Sequence, residues 1–330
     1  MIKITSICGD GVGKEIMRST IKILHSLDLN IEFEEAYAGK ECLEKIGSVL
    51  PEETLKKAKK NDAILFGAVT SVPEQSSSII TLRKELDLYA NIRPIRSLPG
   101  VKCIKPNINF TIIRENTEGL YTGIETIDDE KATATRVISK KATERIIEFA
   151  FKKSRQANIN LVTCAHKANV LKKSDGLFRD IFYQIGTGYP NIKSEDYFID
   201  AMAMYLITRP ETFQTIVTSN LYGDILSDEA AGLVGGLGLV PSANIGDKNG
   251  LFEPVHGSAP DIAGKNISNP SAMILSAVMM LNYLKENYQA EKLQNALYHV
   301  LGERKTITPD LGGKAKTDEM ADAIIEKINE

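Results

Sequence analysis

Asp224 and Asp228 stand four residues apart in Asn220-Leu-Tyr-Gly-Asp224-Ile-Leu-Ser-Asp228. On a helix that spacing puts both carboxylates on one face. Adjacent anions repel, and a shared divalent cation would relieve them, with all-oxygen ligation suiting Mg2+ or Mn2+. A solvated acidic helix start has the same pattern. Asp200 follows Tyr197-Phe-Ile at the expected carboxyl end of a strand, where ligand sites gather in α/β sheets, so it is a candidate third ligand. Arg83, Arg93 and Arg114 lie in separate contexts, and Arg114 closes an apolar run. Guanidinium forks bind carboxylates bidentately, although each arginine alone also reads as one half of a surface ion pair. Lys167, in Cys164-Ala-His166-Lys167-Ala-Asn169-Val170, follows another apolar run. Burial would bring it toward the range of a general base, and exposure would leave it a surface lysine. Tyr121 can give a phenolic proton or simply pack.

Two loops and a turn complete the candidates. Glu253-Pro-Val-His256-Gly257-Ser258-Ala259-Pro-Asp261-Ile262-Ala-Gly264 and Thr308-Pro-Asp310-Leu-Gly-Gly313 are irregular. A carboxylate there could accept hydrogen bonds from ribose hydroxyls and would repel a 2′-phosphate, while either loop also reads as an ordinary connection. Gly9-Asp10-Gly11-Val12-Gly13 is an anion site or a tight turn, but it lacks the third glycine of the dinucleotide fingerprint.

These residues need elements to hold them. Apolar runs at 2–8, 63–66, 110–113, 161–165, 197–199 and 215–218 read as strands. Helical patterns begin near Lys14 and after Pro51, and span Thr143 to Phe151 and Ser271 to Lys285, the last apolar all round and so buried. Residues 126–141 read as a hairpin-like excursion. Strands interleaved with helices predict an α/β protein with a largely parallel sheet. The 330 residues suit two domains. The 40 basic and 43 acidic residues give a net charge of −3, which argues against nucleic-acid or membrane-surface partners. The longest apolar stretch is too short to span a bilayer. The four cysteines show neither metal-ligand nor disulfide spacing, which predicts a reduced, cytoplasmic protein.

Together, over essentially the whole chain, these segments resemble the isocitrate/isopropylmalate (β-decarboxylating) dehydrogenase family. The resemblance implies two α/β domains with a cleft active site. The first, discontinuous domain would take residues 1–88 and 235–330 and bind the cofactor. The second, 89–234, would hold substrate, metal and the dimer contact, with an arm near 122–141. It further implies that Arg83, Arg93 and Arg114 clamp a substituted malate, that Tyr121 protonates the enol, that Lys167 takes the hydroxyl proton, and that Asp200, Asp224 and Asp228 hold Mg2+ or Mn2+. Asn169 and the group His256, Gly257, Ser258, Ala259, Asp261, Ile262, Asn269 and Asp310 match the cofactor site.

The resemblance also bears on specificity and assembly. Asp261-Ile262 stands where NADP-using bacterial relatives carry lysine and tyrosine, which implies NAD. Ile79, Ile80 and Val170 would form an apolar wall suited to an isopropyl group, which favours 3-isopropylmalate. Homoisocitrate, or a broad range that includes isocitrate, is the alternative: the stretch from Ala38 to Phe66-Gly-Ala and the Ile79-Ile80 pair also resemble archaeal homoisocitrate enzymes, and Ser76 stands where isopropylmalate enzymes usually have glutamate. Lys167 and Asp200 would serve the neighbouring subunit's site, which implies a homodimer, or a tetramer built from it. A non-catalytic regulatory subunit would lack the acid, the base or a metal aspartate, and all are present.

Overall fold

A computed structural model describes residues 1–330. The N-terminal part comprises β1 (Ile2–Gly9), α1 (Gly13–Leu24), β2 (Ile31–Ala36), α2 (Lys40–Ile46), α3 (Glu52–Lys60), β3 (Ala63–Ala68) and α4 (Ser78–Glu85). The middle comprises β4 (Ala90–Arg96), β5 (Asn109–Glu115), β6 (Glu125–Ile127), β7 (Ala132–Ala134), α5 (Lys140–Gln156), β8 (Leu161–His166), α6 (Ser174–Gly186), β9 (Lys193–Phe198), α7 (Ile199–Thr208), β10 (Thr215–Thr218) and α8 (Asn220–Leu233). The remainder is β11 (Pro241–Ile245), β12 (Gly250–Pro254), α9 (Ser271–Tyr283), α10 (Asn287–Glu303) and α11 (Thr317–Asn329).

Ten strands form one mixed sheet in the order β2-β1-β3-β12-β11-β4-β5-β10-β8-β9. Two parallel blocks meet through antiparallel β12–β11–β4–β5 pairs. The expectation of a largely parallel sheet therefore holds for the blocks and not for the centre. Parallel strands need both faces covered, which is why β3 is buried along its whole length and α9 is apolar all round. The edge strand β9, with its polar Lys193-Ser-Glu-Asp start, escapes a hydrophobicity reading, and the apolar Tyr197–Ile199 run marks only its end. It stops at Phe198, and Asp200 lies in the first turn of α7 rather than at a strand terminus, which corrects the expectation above. The excursion is a two-stranded β6–β7 ribbon, with α5 beginning at Lys140.

Four hydrophobic clusters fill the interior. The largest draws on residues 4–98 and 239–328 and packs α1, α9, α10 and α11 over the first block. A second cluster, around Ile7, Phe66 and Leu82, lies under α3 and α4. Two others, around Phe110 and Phe151, draw on residues 90–240 and hold the second block.

The register of the central strands sorts side chains by face. Ile92 pairs with Ile113 and Ala243, while Asn91 pairs with Arg114 and Asn244. Alternation then sends Ile92, Ile113 and Ala243 to one face, and Asn91, Arg93, Arg114 and Asn244 to the other.

The glycine-rich turn after β1 is a packing device. Gly9 has φ +71°, and a Cβ there would lie 2.0 Å from the Ala68 carbonyl; Gly11 has φ +55°, and its Cβ would lie 2.1 Å from the Ser258 carbonyl. The Asp10 carboxylate occupies the turn itself, accepting the amides of Lys40, Glu41 and Thr70 at 2.9, 2.9 and 2.8 Å.

Candidate active site

Three buried guanidinium groups converge on the polar face of the central strands. Arg114 is the penultimate residue of β5 and is 1% exposed. Its Nε and Nη2 donate to Asn220 Oδ1 at 3.0 and 2.6 Å, and its Nη1 donates to Asp224 Oδ1 at 2.5 Å. Arg93 on β4 donates to Asn91 Oδ1 (2.8 Å) and Ser227 Oγ (2.5 Å), and lies 3.2 Å from Asp224 and 3.4 Å from Asp228. Arg83 on α4 donates to Glu253 Oε1 at 2.8 Å. The Tyr121 hydroxyl donates to the second oxygen of Asp224, and the Arg114 guanidinium lies 5.0 Å from the centre of the Tyr121 ring.

The electrostatics follow from this crowding. Burial, then repulsion from Arg93, pulls the Arg114 pKa down to about 10. Burial works to raise the Asp224 carboxyl, but Arg114 and Arg93 outweigh it and hold it below the usual carboxylate range. Burial, aided by Asp224, pushes Asp228 up despite Arg93. Burial, helped by the bond to Asp224, also raises Tyr121, which keeps its phenol protonated. Three cations thus face three carboxylates: Asp224, Asp228 and Glu253.

Asp224 and Asp228 project from one side of α8, as the spacing predicts, and their hard oxygens fit a divalent cation. A cation would relieve the mutual repulsion that contributes to the raised Asp228 pKa. The third expected ligand is not beside them within one chain. Asp200 is ion-paired with Lys167, and no three acidic, histidine or cysteine side chains of one chain are grouped closely enough to hold a metal ion. The loop that carries Lys167 is firmly held. The Lys167 amide donates to Asp175 at 2.6 Å, and His166, buried, bonds Asp196 at 2.8 Å and accepts the Ala168 amide at 3.0 Å. Asn169 and Val170 project from this loop into solvent. Ile79 packs partly onto the hydrophobic cluster around Leu82, and Ile80 is half-buried beside it.

His256, Gly257, Ala259, Ile262, Asn269 and Asp310 line a single cavity of about 380 Å3. Asn269 donates to Asp310 Oδ2 at 3.0 Å, and the Thr308 hydroxyl donates to Oδ1 at 2.5 Å, so the second loop is braced against the first. The His256 ring donates to the Gly257 carbonyl, and burial lowers its pKa, so the imidazole is neutral. Apolar Leu237, Ile262 and Ile267 beside amide and carboxylate groups suit an aromatic base with a hydroxylated sugar. Ser258 is buried and bonded to Thr70 at 2.7 Å, outside this lining, and Asp261 is exposed on the same loop.

The description of the isocitrate/isopropylmalate dehydrogenase family matches residues 3–324. The chain belongs to this family. It is a β-decarboxylating dehydrogenase with the α/β fold of that family. The dehydrogenase is 56% identical to the 3-isopropylmalate/3-methylmalate dehydrogenase of Methanocaldococcus jannaschii, covering 100% of both chains. It is 50% identical to the homoisocitrate dehydrogenase of the same organism, over 99% of this chain and 98% of the relative. The crystal structure of isocitrate dehydrogenase from Methylococcus capsulatus superposes with a TM-score of 0.97 at 42% identity, with both chains wholly covered.

The dehydrogenase also uses residues that motif reading passed over. Asn244 receives Asn91 at 2.8 Å and Asn116 at 2.9 Å and donates to Glu253 at 2.7 Å. A buried polar chain thus runs Arg83–Glu253–Asn244–Asn91–Arg93. Its signal was present as single asparagines inside apolar strands, which must find partners when buried. Asn220 was legible too, lying four residues before Asp224 on the same helical face.

Proposed function

We propose that this dehydrogenase oxidises and decarboxylates a 3-substituted malate, 3-isopropylmalate in particular, with NAD as hydride acceptor and Mg2+ or Mn2+ bound. The observation that carries the substrate reading is the start of α4. Ile79 and Ile80 stand one turn ahead of Arg83 with no cation there for a third carboxylate. The balance of three arginines against three carboxylates fits the same reading. A dianionic malate together with a dication adds no net charge to a buried site, whereas a tricarboxylate would.

In this reading Arg83, Arg93 and Arg114 orient the malate carboxylates through planar forks. When bound, the cation polarises the substrate hydroxyl and its neighbouring carboxylate, and NAD accepts the hydride. Asp224 and Asp228 would hold the cation, with Asp200 of a second subunit completing the set. The partner subunit's Lys167 removes the hydroxyl proton, with its own loop pinned by Asp175. Tyr121, kept protonated by burial, gives its proton to the carbon that has lost CO2. The family generally uses NAD and a divalent metal. Asp261 and Asn269, with Asp310, would receive the adenosine, and Asp261 would repel a 2′-phosphate.

A homodimer is supported by exposed apolar side chains: Met204 and Ile207 on α7, Ile225 on α8, and Ile124 and Ile127 at the ribbon. The division of the hydrophobic clusters supports domains at 1–88 with 235–330, and at 89–234. No helix is long and apolar enough to cross a membrane, and four unpaired cysteines support a cytoplasmic setting.

The test is NADH formation with 3-isopropylmalate, homoisocitrate, isocitrate and D-malate side by side, in Mg2+ and in Mn2+. The highest kcat/KM is expected for 3-isopropylmalate, with NADP a poor substitute for NAD. A preference for homoisocitrate selects the other reading, and a preference for isocitrate refutes the apolar-wall argument.

A further inference from the structure

The strands that carry Arg93 and Arg114 have a second face, and it is hollow. Ile92 precedes Arg93 and Ile113 precedes Arg114, so alternation points this pair of isoleucines to the opposite side of the sheet. There, between α5 and the end of α9, lies a cavity of about 560 Å3, within the roughly 300–1000 Å3 of small-molecule sites. Its walls are mainly apolar, with Ile113, Phe252 and Tyr283 among them. A neighbouring cavity of about 250 Å3 shares Ile92, Thr111, Met279 and Asn282 with its lining.

The polar part of this lining has one sign. Lys153 from α5 and Lys285 from just beyond α9 face it across the gap, and no acidic side chain lines it. Neither lysine has an ion-pair partner. Lys153 stands 5.8 Å from the centre of the Phe149 ring. Burial, then repulsion from Lys285, lowers the Lys153 pKa, so the two ammonium groups feel each other. Both lysines are exposed, and an anion with a hydrocarbon body pairs with them while covering the apolar walls.

We propose that this back-face cavity binds a small amphipathic carboxylate, its head between Lys153 and Lys285 and its apolar body along Ile113 and Phe252. The site is separate from the arginine cluster, which faces the other side of the same strands.

The probe is octanoate, titrated calorimetrically into the whole enzyme at low ionic strength, with 1-octanol and octylammonium as matched controls. Saturable binding of one octanoate per chain is expected, about tenfold or more tighter than either control. Lys153→Gln combined with Lys285→Asn should weaken octanoate by a similar factor with kcat unchanged. Ala157→Phe, which fills the mouth while leaving both lysines, should abolish binding and guards against a misfolded double variant. Excess malonate, a dicarboxylate with no apolar body, should not displace octanoate. Equal affinity for octanol, binding unaffected by the three substitutions, displacement by malonate, or no binding at all would overturn the proposal.

Discussion

Asp224 is the residue on which the site turns. One carboxylate receives Arg114 and Tyr121 and lies within ion-pair distance of Arg93. Its pKa in the folded chain is depressed below the ordinary 3.8. A carboxyl with a depressed folded value contributes stability that is present above its unfolded pKa and is lost as pH falls through the folded value. Asp224→Asn leaves Arg114 buried without its anion. The expected loss at neutral pH is about 3 kcal/mol, the lower end for buried pairs because Asp224 is one-third exposed. Urea melts of both proteins from pH 7 downward should show a constant difference until about pH 4 and a shrinking one below it. A difference that grows on acidification would contradict the pairing. At this scale the sequence was informative about residue types and weak about partners. Arg83 and Glu253 are separated by 170 positions, and Arg93 and Ser227 by 134, and no local pattern encodes such meetings.

Among the elements, α8 does the most positioning. Asn220, Asp224 and Asp228 share one side of it, and Gly223 lets that side approach β5. A Cβ at Gly223 would lie 2.6 Å from Arg114 Cγ and 2.7 Å from its Cβ. In a free helix Gly→Ala is worth about 1 kcal/mol of stabilisation. Here Gly223→Ala should instead destabilise by about 1–3 kcal/mol, as overpacking does, and raise KM by displacing the guanidinium. Thermal melting together with steady-state kinetics checks this, and a more stable variant with unchanged KM would show that α8 can retreat freely. The helix was legible because its polar face repeats every four residues. The junction of β9 and α7 was not, because Tyr197-Phe-Ile199 is apolar enough to extend a strand on hydrophobicity alone, while the backbone turns at Phe198. The antiparallel β11–β12 pair was likewise hidden, because its asparagine and glutamate break the apolar pattern that marks buried strands.

Across the whole molecule, one chain brings Tyr121, the arginines, Asp224 and Asp228 together, while Lys167 remains paired with Asp200 and makes no hydrogen bond to them. If two subunits share their sites, two separately inactive proteins should complement. Lys167→Ala and Tyr121→Phe chains, mixed under conditions that exchange subunits, contain heterodimers with one site that has both an intact tyrosine and an intact lysine. Recovery of NADH formation on mixing is the expected result. Continued inactivity, with exchange verified by mass, would mean that each chain uses its own lysine. Net charge and apolar content indicated an ordinary globular enzyme, but the back-face cavity could not be read from them, because it is bounded by α5, α9 and five strands that meet only after folding.

The carboxylate that ties two arginines and a phenol together has a last consequence, in thermodynamic linkage. A cation arriving alone must draw Asp224 away from guanidinium groups that repel it, and a dicarboxylate arriving alone meets Asp224 and Asp228. Each binder lowers the obstacle to the other, so each must raise the other's affinity by the same factor. Mn2+ binding followed by electron paramagnetic resonance should therefore tighten on adding a substituted malate, about 5- to 150-fold for a typical coupling, and the malate should gain equally when Mn2+ is added. Independent affinities would mean that Asp224 is not the shared group. With coupling of this kind, an enzyme short of either partner holds the other more weakly by the same factor, so scarcity of one is felt as scarcity of both.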